Sequence, residues 1–300
     1  MKERLARIVL RLLEAIPLPV LAFLFESAMQ IVWAIDGKHR RIARINLRIA
    51  FPEMGDKEAR RITRHCYKRI GTTAAEFIYI PKIDERYLRE HLRMEGLEHI
   101  KKSEAEGRPI LIMTGHFGNW EFSSFAYGIL VKPMAFIVKT LRSPILDAIV
   151  TERRQLRGNT VIRQTESAKQ VIRFLRNKVM IGILIDQNVD QHKGVLVELF
   201  GRKTYTTDGI ARLALALNAA IHPGFLFRDP ANKFRHILWF GPAVHINYDA
   251  SKEEEIPEIT RRCNQELEKA IIRAPDHWMW FQARWKNRGK GERDVYMEEP

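Results

Sequence analysis

The residues best suited to chemistry lie in one segment, Pro109-Ile-Leu-Ile-Met-Thr-Gly-His116-Phe-Gly-Asn-Trp-Glu121. The apolar run Ile110–Thr114 reads as a strand ending at Gly115. His116 then falls at the carboxyl edge of a sheet, where open α/β folds place ligands. A helix is expected to begin near Asn119. On one continuous helix His116 and Glu121 would point about 140° apart. Across a strand–turn–helix junction, a turn at Gly118 can fold Glu121 back toward the imidazole. A carboxylate on one ring nitrogen fixes the tautomer and raises the basicity of the other, which can then take a proton from a hydroxyl. This is the base and orienter of a triad without its serine. The nucleophile is then a hydroxyl or amine of the substrate, and the reaction a group transfer.

A metal site built from His116 and Glu121 with His192 or His222 is the competing chemistry, but no ligand pair has a recognised spacing. The sequence has no phosphate loop of the Gly-x-x-x-x-Gly-Lys-Ser/Thr type and no Gly-x-Gly-x-x-Gly. It also lacks a Gly-x-Ser-x-Gly elbow and a His-Glu-x-x-His pair. These absences weigh against an NTPase, a dinucleotide enzyme, a serine hydrolase and a zinc protease.

The elements that must position His116 follow from the pattern around it. Strand-length apolar runs occur at Ile110–Thr114, Met134–Val138, Val179–Ile185, Val195–Leu199, Ala220–Phe227 and Arg235–Phe240. Helical stretches at 97–106, 119–130, 144–157, 166–177 and 208–217 lie between or beside them, and 257–273 forms a last amphipathic helix before Pro275. Strands alternating with helices predict an α/β fold with a mostly parallel central sheet flanked by helices. Upstream, 38–50 reads as a basic helix ended by Pro52, and 56–79 as a long helix with Asp56 as its N-cap. The expected organisation is an N-terminal anchor over 1–36, a helical segment over 37–91 packed on the core, and an α/β core over 92–300.

At 300 residues the chain is long enough for a sizeable buried core. Its net charge of +14 implies an anionic partner: nucleic acid, anionic lipid, a phosphorylated substrate or an acidic protein. Residues 1–50 carry nine basic and four acidic groups, the largest local excess, followed by 151–200. The run Lys38, Arg40, Arg41, Arg44, Arg48 has helical spacing and suits lipid headgroups. Just before it, Leu5, Ile8, Val9, Leu12, Leu13 and Ile16 form an apolar stripe, Pro17 and Pro19 break the helix, and a second apolar stretch runs from Leu18 to Ile35. The longest charge-free run within the first 35 residues, Ala15–Phe25, is eleven residues, whereas a spanning helix needs about 20. Spanning with 15–35 would put Glu26 near mid-membrane at a cost of roughly 3 kcal/mol. An interfacial helix–break–helix anchor fits better. Arg11 and Glu14 interrupt the apolar region, which argues against a signal peptide. The cysteines, Cys66 and Cys263, form neither a disulfide framework nor a zinc spacing and suit a reducing compartment.

Taken together, these motifs resemble the bacterial lipid A biosynthesis acyltransferases, within the wider glycerophosphate/lysophospholipid acyltransferase group and its His-x-x-x-x-Asp/Glu signature. The resemblance rests on order and spacing. An apolar N-terminal segment is followed by Arg44-x-Asn46-Leu47 and Phe51-Pro52-Glu53. Then come Gly115-His116-Phe117-Gly118-Asn119-Trp120-Glu121, a basic residue after an apolar strand, and Asp186-Gln187. Pro275-x-x-Trp278-Met279-Trp280 and Arg284-Trp285-Lys286 close the series. The resemblance implies a glycerophosphate-acyltransferase-like fold and an O-acyltransferase with no metal or cofactor. His116 would be the general base and Glu121 its partner. The donor would be a thioester of acyl carrier protein or CoA, and the acceptor a hydroxyl of a membrane glycolipid such as a lipid A precursor. Asn119, Lys139, Arg142, Arg154, Asp186 and Gln187 would contact substrate, the basic ones through phosphate or carboxylate. Lys139 stands where the family often has Arg, and the N-terminal segment is shorter and more charged than the usual anchor. The implied location is the cytoplasmic face of a bacterial inner membrane, on an anionic surface.

Three other readings compete. A nucleic-acid-binding protein would interleave basic and aromatic residues on one face, but Trp278, Trp280 and Trp285 cluster near the C-terminus and the other tryptophans are isolated. A glycolipid-binding scaffold with a dead site conflicts with the intact His116 and Glu121. An acyltransferase acting on another glycolipid or on a lysophospholipid keeps the same chemistry.

Overall fold

The structure is a computed structural model that describes residues 2–164, 168–287, 289 and 291–297. Its chain begins with helices. Helix α1 (Lys2–Ala15) breaks before Pro17, and α2 (Leu18–Ile35) carries Pro19 in its first turn, where no backbone donor is lost. Asp36 accepts from the His39 amide and starts α3 (Gly37–Ala50). Helix α4 (Asp56–Tyr79) has Gly55 as its N-cap, so Asp56 lies inside the first turn and the expected Asp56 cap does not form. Helices α2 and α4 approach closely at Gly71: a Cβ there would sit 2.7 Å from the backbone of Phe25 and Glu26. Leu18, Leu21 and Ala22 bury against Ala75 at this contact. Glu26 is buried there too, accepting from Thr72 and Lys233. α2 is long and apolar enough to cross a membrane by length and composition, yet one of its faces is spent on α4.

After α5 (Glu85–His91) the chain enters the sheet. The strands are β1 (Leu92–Glu95), β2 (Ile110–Thr114), β3 (Ala135–Val138), β4 (Thr160–Arg163), β5 (Ile181–Leu184), β8 (Ala220–Arg228) and β9 (His236–Phe240), in the spatial order β1-β9-β8-β2-β5-β3-β4. β4, β3, β5, β2 and β8 are parallel; β9 turns back antiparallel to β8, and β1 runs with β9. Helices α6 (Leu97–Ala105), α7 (Trp120–Leu130), α8 (Pro144–Arg154), α9 (Ala168–Arg176) and α10 (Gly209–Leu217) connect the strands. Of the helix expected over 166–177, residues 166 and 167 lie outside the described residues. The fold is therefore α/β with a mostly parallel sheet, as the alternating pattern predicts.

One expected strand takes another place. β6 (Gly194–Leu199) leaves the main sheet and pairs antiparallel with β7 (Arg202–Thr207). β7 alternates polar side chains, and its ribbon packs on α11 (Lys252–Arg273), where Asn264 donates to Glu198 O and Thr206. α11 also starts earlier than expected: Ser251 caps it, and Pro257 sits in its second turn.

The sheet buries both faces because successive strand residues alternate sides. Leu111 and Met113 face a core shared with α10 and α11, while Ile110 and Ile112 face Phe122 and Phe125 of α7. The α7 side holds the site.

Candidate active site

β2 and β5 are neighbours, and their register sets Thr114 beside Leu184. Two residues further on, both chains leave the sheet at the same level with His116 and Asp186. His116 Nδ1 lies 2.8 Å from Asp186 Oδ1, and the His116 amide donates to Asp186 Oδ2 at 2.9 Å. Two glycines make this turn possible. At Gly115 a Cβ would stand 3.1 Å from the Asp186 Cβ. Gly118 has φ +60°, and a Cβ there would meet Leu226 O at 1.9 Å, so only glycine fits. The Gly118 amide donates to His277 O, and Asn119 then caps α7 by accepting from the Phe122 amide.

The C-terminal segment completes the environment of Asp186. Trp278 Nε1 and Gln282 Nε2 donate to Asp186 Oδ2 at 2.9 and 3.0 Å. That segment is in turn tied to the N-terminal helices: Asn46 of α3 donates to Trp280 O and Gln282 O, and Cys66 of α4 to Trp278 O. Arg284, from the C-terminal basic cluster, is fully buried and spent on Thr204, Tyr205 and Thr206.

Electrostatics follow from this packing. Burial would push the fully buried Asp186 carboxyl up, but the imidazole and the converging donors outweigh it and hold the acid well below its usual range. Burial likewise disfavours the His116 imidazolium, yet Asp186 through charge and hydrogen bond, with a smaller contribution from Glu121, raises the His116 pKa above its ordinary value. With Nδ1 tied to Asp186, Nε2 is the nitrogen left for a substrate.

The expected pairing of His116 with Glu121 is therefore not the one the fold makes. Glu121 accepts from Arg154 through both oxygens, Nε to Oε2 at 2.8 Å and Nη2 to Oε1 at 2.5 Å, and Trp120 Nε1 donates to it at 3.1 Å. Glu121 lies in the first turn of α7, and Arg154 at the end of α8 comes up beside it. Both still border the same cavity as His116.

That cavity, about 340 Å³, runs between α7 and the sheet face of Ile112. His116, Glu121, Lys139, Arg154 and Gln187 line its more exposed part. Its inner wall is apolar, formed by the buried side chains of Ile112, Met134, Phe136, Met180, Leu238 and Phe240. Gly182, level with Ile112 on β5, leaves the space open.

Three of the expected substrate contacts fall elsewhere. Asn119 is buried, with its oxygen on the Phe122 amide and its nitrogen on Glu76 Oε2 at 2.8 Å, so it fixes the start of α7. Arg142 is exposed on the turn before α8 and does not line the cavity. Asp186 is the partner of His116, fully enclosed by its donors. The metal alternative is not assembled either: His222 uses one ring nitrogen on Ser103 and the other on Gly241 O, and His192 is exposed beside Gln191.

The residues missed by sequence reasoning are Trp278 and Gln282 as donors to Asp186, and the buried cluster behind α7. In that cluster Glu76 accepts from Arg228, His236 and Asn119. An Asp directly after an apolar strand was the available signal for Asp186; that its strand neighbours β2 is a matter of topology.

Residues 3–287 match the family described as bacterial lipid A biosynthesis acyltransferase. The chain is 26% identical over 285 residues to the lipid A biosynthesis lauroyltransferase of Escherichia coli, covering 94% of this chain and 90% of that one. It is 25% identical over 263 residues to a lipid A biosynthesis acyltransferase of Haemophilus influenzae, covering 86% and 79%. The E. coli lipid A biosynthesis palmitoleoyltransferase is 22% identical over 283 residues, covering 94% and 90%. With the match extending from the first helix to the segment that encloses Asp186, the chain belongs to the bacterial lipid A biosynthesis acyltransferase family and is an acyltransferase.

Proposed function

We propose that this enzyme moves a fatty acyl group from a thioester of acyl carrier protein or CoA to a hydroxyl of a lipid A-type glycolipid, with His116 as general base and Asp186 as its partner. One observation carries the reading: a histidine tied through Nδ1 to a buried carboxylate stands at the mouth of an apolar cavity whose rim is basic.

In this mechanism the acyl chain lies in the cavity with its thioester carbonyl at the rim. The acceptor hydroxyl donates to His116 Nε2, loses its proton to it, and attacks the carbonyl carbon. Asp186 stabilises the imidazolium that forms. The Trp120 and Glu121 amides open α7 and donate to no backbone acceptor among the described residues; at a helix N-terminus they suit the oxyanion of the tetrahedral intermediate. Collapse breaks the C–S bond, and the thiolate takes the proton from His116. Glu121 holds the Arg154 guanidinium in a fixed orientation, and Arg154 with Lys139 offers positive charge to phosphate on the acceptor or on the donor's arm.

Helices α1 and α2 would dock the enzyme on the cytoplasmic face of the inner membrane, as an N-terminal extension of the α/β core. Leu5, Ile8, Val9 and Leu12 of α1 are exposed along one stripe. The test is to incubate purified enzyme with acyl-carrier-protein or acyl-CoA thioesters and a lipid A precursor, and to read the products by mass spectrometry. A mass gain of one acyl group on the glycolipid supports the reading. Thioester hydrolysis alone, or no acylated glycolipid with either donor, overturns it.

A further inference from the structure

Three guanidinium groups converge on one indole at the junction of α2, α3 and α4. The Cζ atoms of Arg40, Arg60 and Arg64 lie 5.3, 5.2 and 5.6 Å from the Trp33 ring centroid. One guanidinium over an indole is favourable, but three around the same ring repel one another. Arg60 and Arg64, four apart on α4, are themselves a like-charge neighbour pair.

Among the described residues no carboxylate relieves this. Among the described residues neither these three arginines nor Arg44 beside them is in an ion pair; Arg64 donates instead to the neutral Gln30 at 2.6 Å. The two carboxylates that border the cluster are already taken. Asp56 accepts from Arg48 at 3.0 Å, and Glu26 accepts from Lys233 at 2.6 Å with Lys68 at 3.6 Å. The Trp33 indole nitrogen is buried without an acceptor among the described residues. Open space adjoins the cluster on both sides: grooves of about 590 and 430 Å³ meet at Trp33 and Arg60, and neither shares a residue with the catalytic cavity.

The same α2 helix exposes Val20, Phe23, Leu24, Ile31, Val32 and Ile35, each between 38% and 78% accessible. An acidic protein partner would answer the charge but not this apolar stripe. An anionic bilayer answers both, since phosphates lie just outside the acyl boundary that such a stripe enters.

We propose that the groove around Trp33, rimmed by Arg40, Arg60 and Arg64, binds the phosphate of an anionic membrane lipid at a site separate from the catalytic cavity. The proposal does not depend on the identity of the acyl acceptor. It is tested by co-sedimentation of the full chain with vesicles of equal parts phosphatidylglycerol and phosphatidylcholine. The groove variant R40Q/R60Q/R64Q is compared with K169Q/R173Q/R176Q, which removes the same charge from the exposed face of α9. The expected result is binding on the order of 100-fold weaker for the groove variant, with a much smaller loss for the α9 variant. Relief of like-charge repulsion should leave the groove variant melting no lower than the parent, and the single substitution R60E should weaken vesicle binding in the same direction. Equal losses in the two triple variants would reduce the effect to net charge and overturn the site. So would parent-like vesicle binding by a folded groove variant, including the case in which that variant instead loses affinity for acidic carrier protein.

Discussion

Asp186 stands level with His116 across the β2–β5 pair, Oδ1 to Nδ1 at 2.8 Å, because Thr114 and Leu184 are in register and both chains leave the sheet two residues later. Glu121, five residues after His116, is turned instead to Arg154. The two carboxylates therefore have separable effects. Asp186→Asn should lower kcat on the order of 10³- to 10⁴-fold, by the measure of a triad aspartate, with little change in KM. Glu121→Gln should loosen Arg154 and weaken substrate affinity as well as turnover. Steady-state kinetics on both variants separate the roles. A larger kcat loss in Glu121→Gln with Asp186→Asn near the parent would reverse the assignment.

The raised His116 pKa fixes the direction of the pH dependence. The base must be neutral to act, so kcat/KM should climb through a value above the ordinary 6.5 and then level off. Asp186→Asn removes the charge that holds the proton and should move that limb to lower pH. Stability has the opposite sign. The folded state holds the His116 proton more tightly than the unfolded chain, so this contribution is complete below about pH 6.5 and is lost as pH rises through the folded value. The melting-temperature difference between the parent and His116→Ala, measured from mildly acidic to alkaline pH, should shrink along the series.

Gly182 controls room in the cavity. A Cβ there would come to 3.1 Å from the Met134 methyl, the far end of a flexible side chain. Gly182→Ala should therefore fold normally but push Met134 into the acyl space, and Gly182→Val should fill more of it. Competition among thioesters of different length should shift toward shorter chains in that order. Unchanged chain preference would place the acyl group elsewhere.

Behind α7, the Glu76 and Arg228 side chains are each 2% exposed and paired, with His236 and Asn119 on the same carboxylate. Opposite charges and hydrogen bonds overcome the cost of burial and hold Glu76 well below the usual carboxyl range. Glu76→Ala leaves Arg228 buried and uncompensated, which should cost about 3–5 kcal/mol. Asn119→Ala, which removes mainly the α7 cap, should cost nearer 1 kcal/mol. Chemical denaturation of both variants tests the ordering.

Much of the fold follows from the sequence pattern alone. β2 and β8 stand out because buried parallel strands are continuous apolar runs, and the strand–Gly–His turn placed His116 at the sheet edge. β1, with its Leu-Arg-Met-Glu alternation at an edge, and β7, with its polar ribbon Arg-Lys-Thr-Tyr-Thr-Thr, carry no such run and passed unseen. The partner of His116 was unreadable for a different reason. Glu121 is near in sequence, whereas Asp186 is near only once β5 is known to lie beside β2. Arg154 and Lys139, which the resemblance offers as substrate contacts, both line the cavity; Asn119 does not, because a polar residue in a strand–helix turn can serve the helix rather than a ligand. Trp278 and Gln282 reach Asp186 from a C-terminal segment whose aromatic spacing shows no link to the sheet.

The central claim is that His116 removes the acceptor proton. It is tested most directly by acyl transfer from a carrier-protein thioester to a lipid A precursor, comparing purified parent with a His116→Ala variant of matched fold. A loss of at least 10²- to 10⁴-fold in kcat, the range for a general base, is the predicted result; transfer at the parental rate would contradict it.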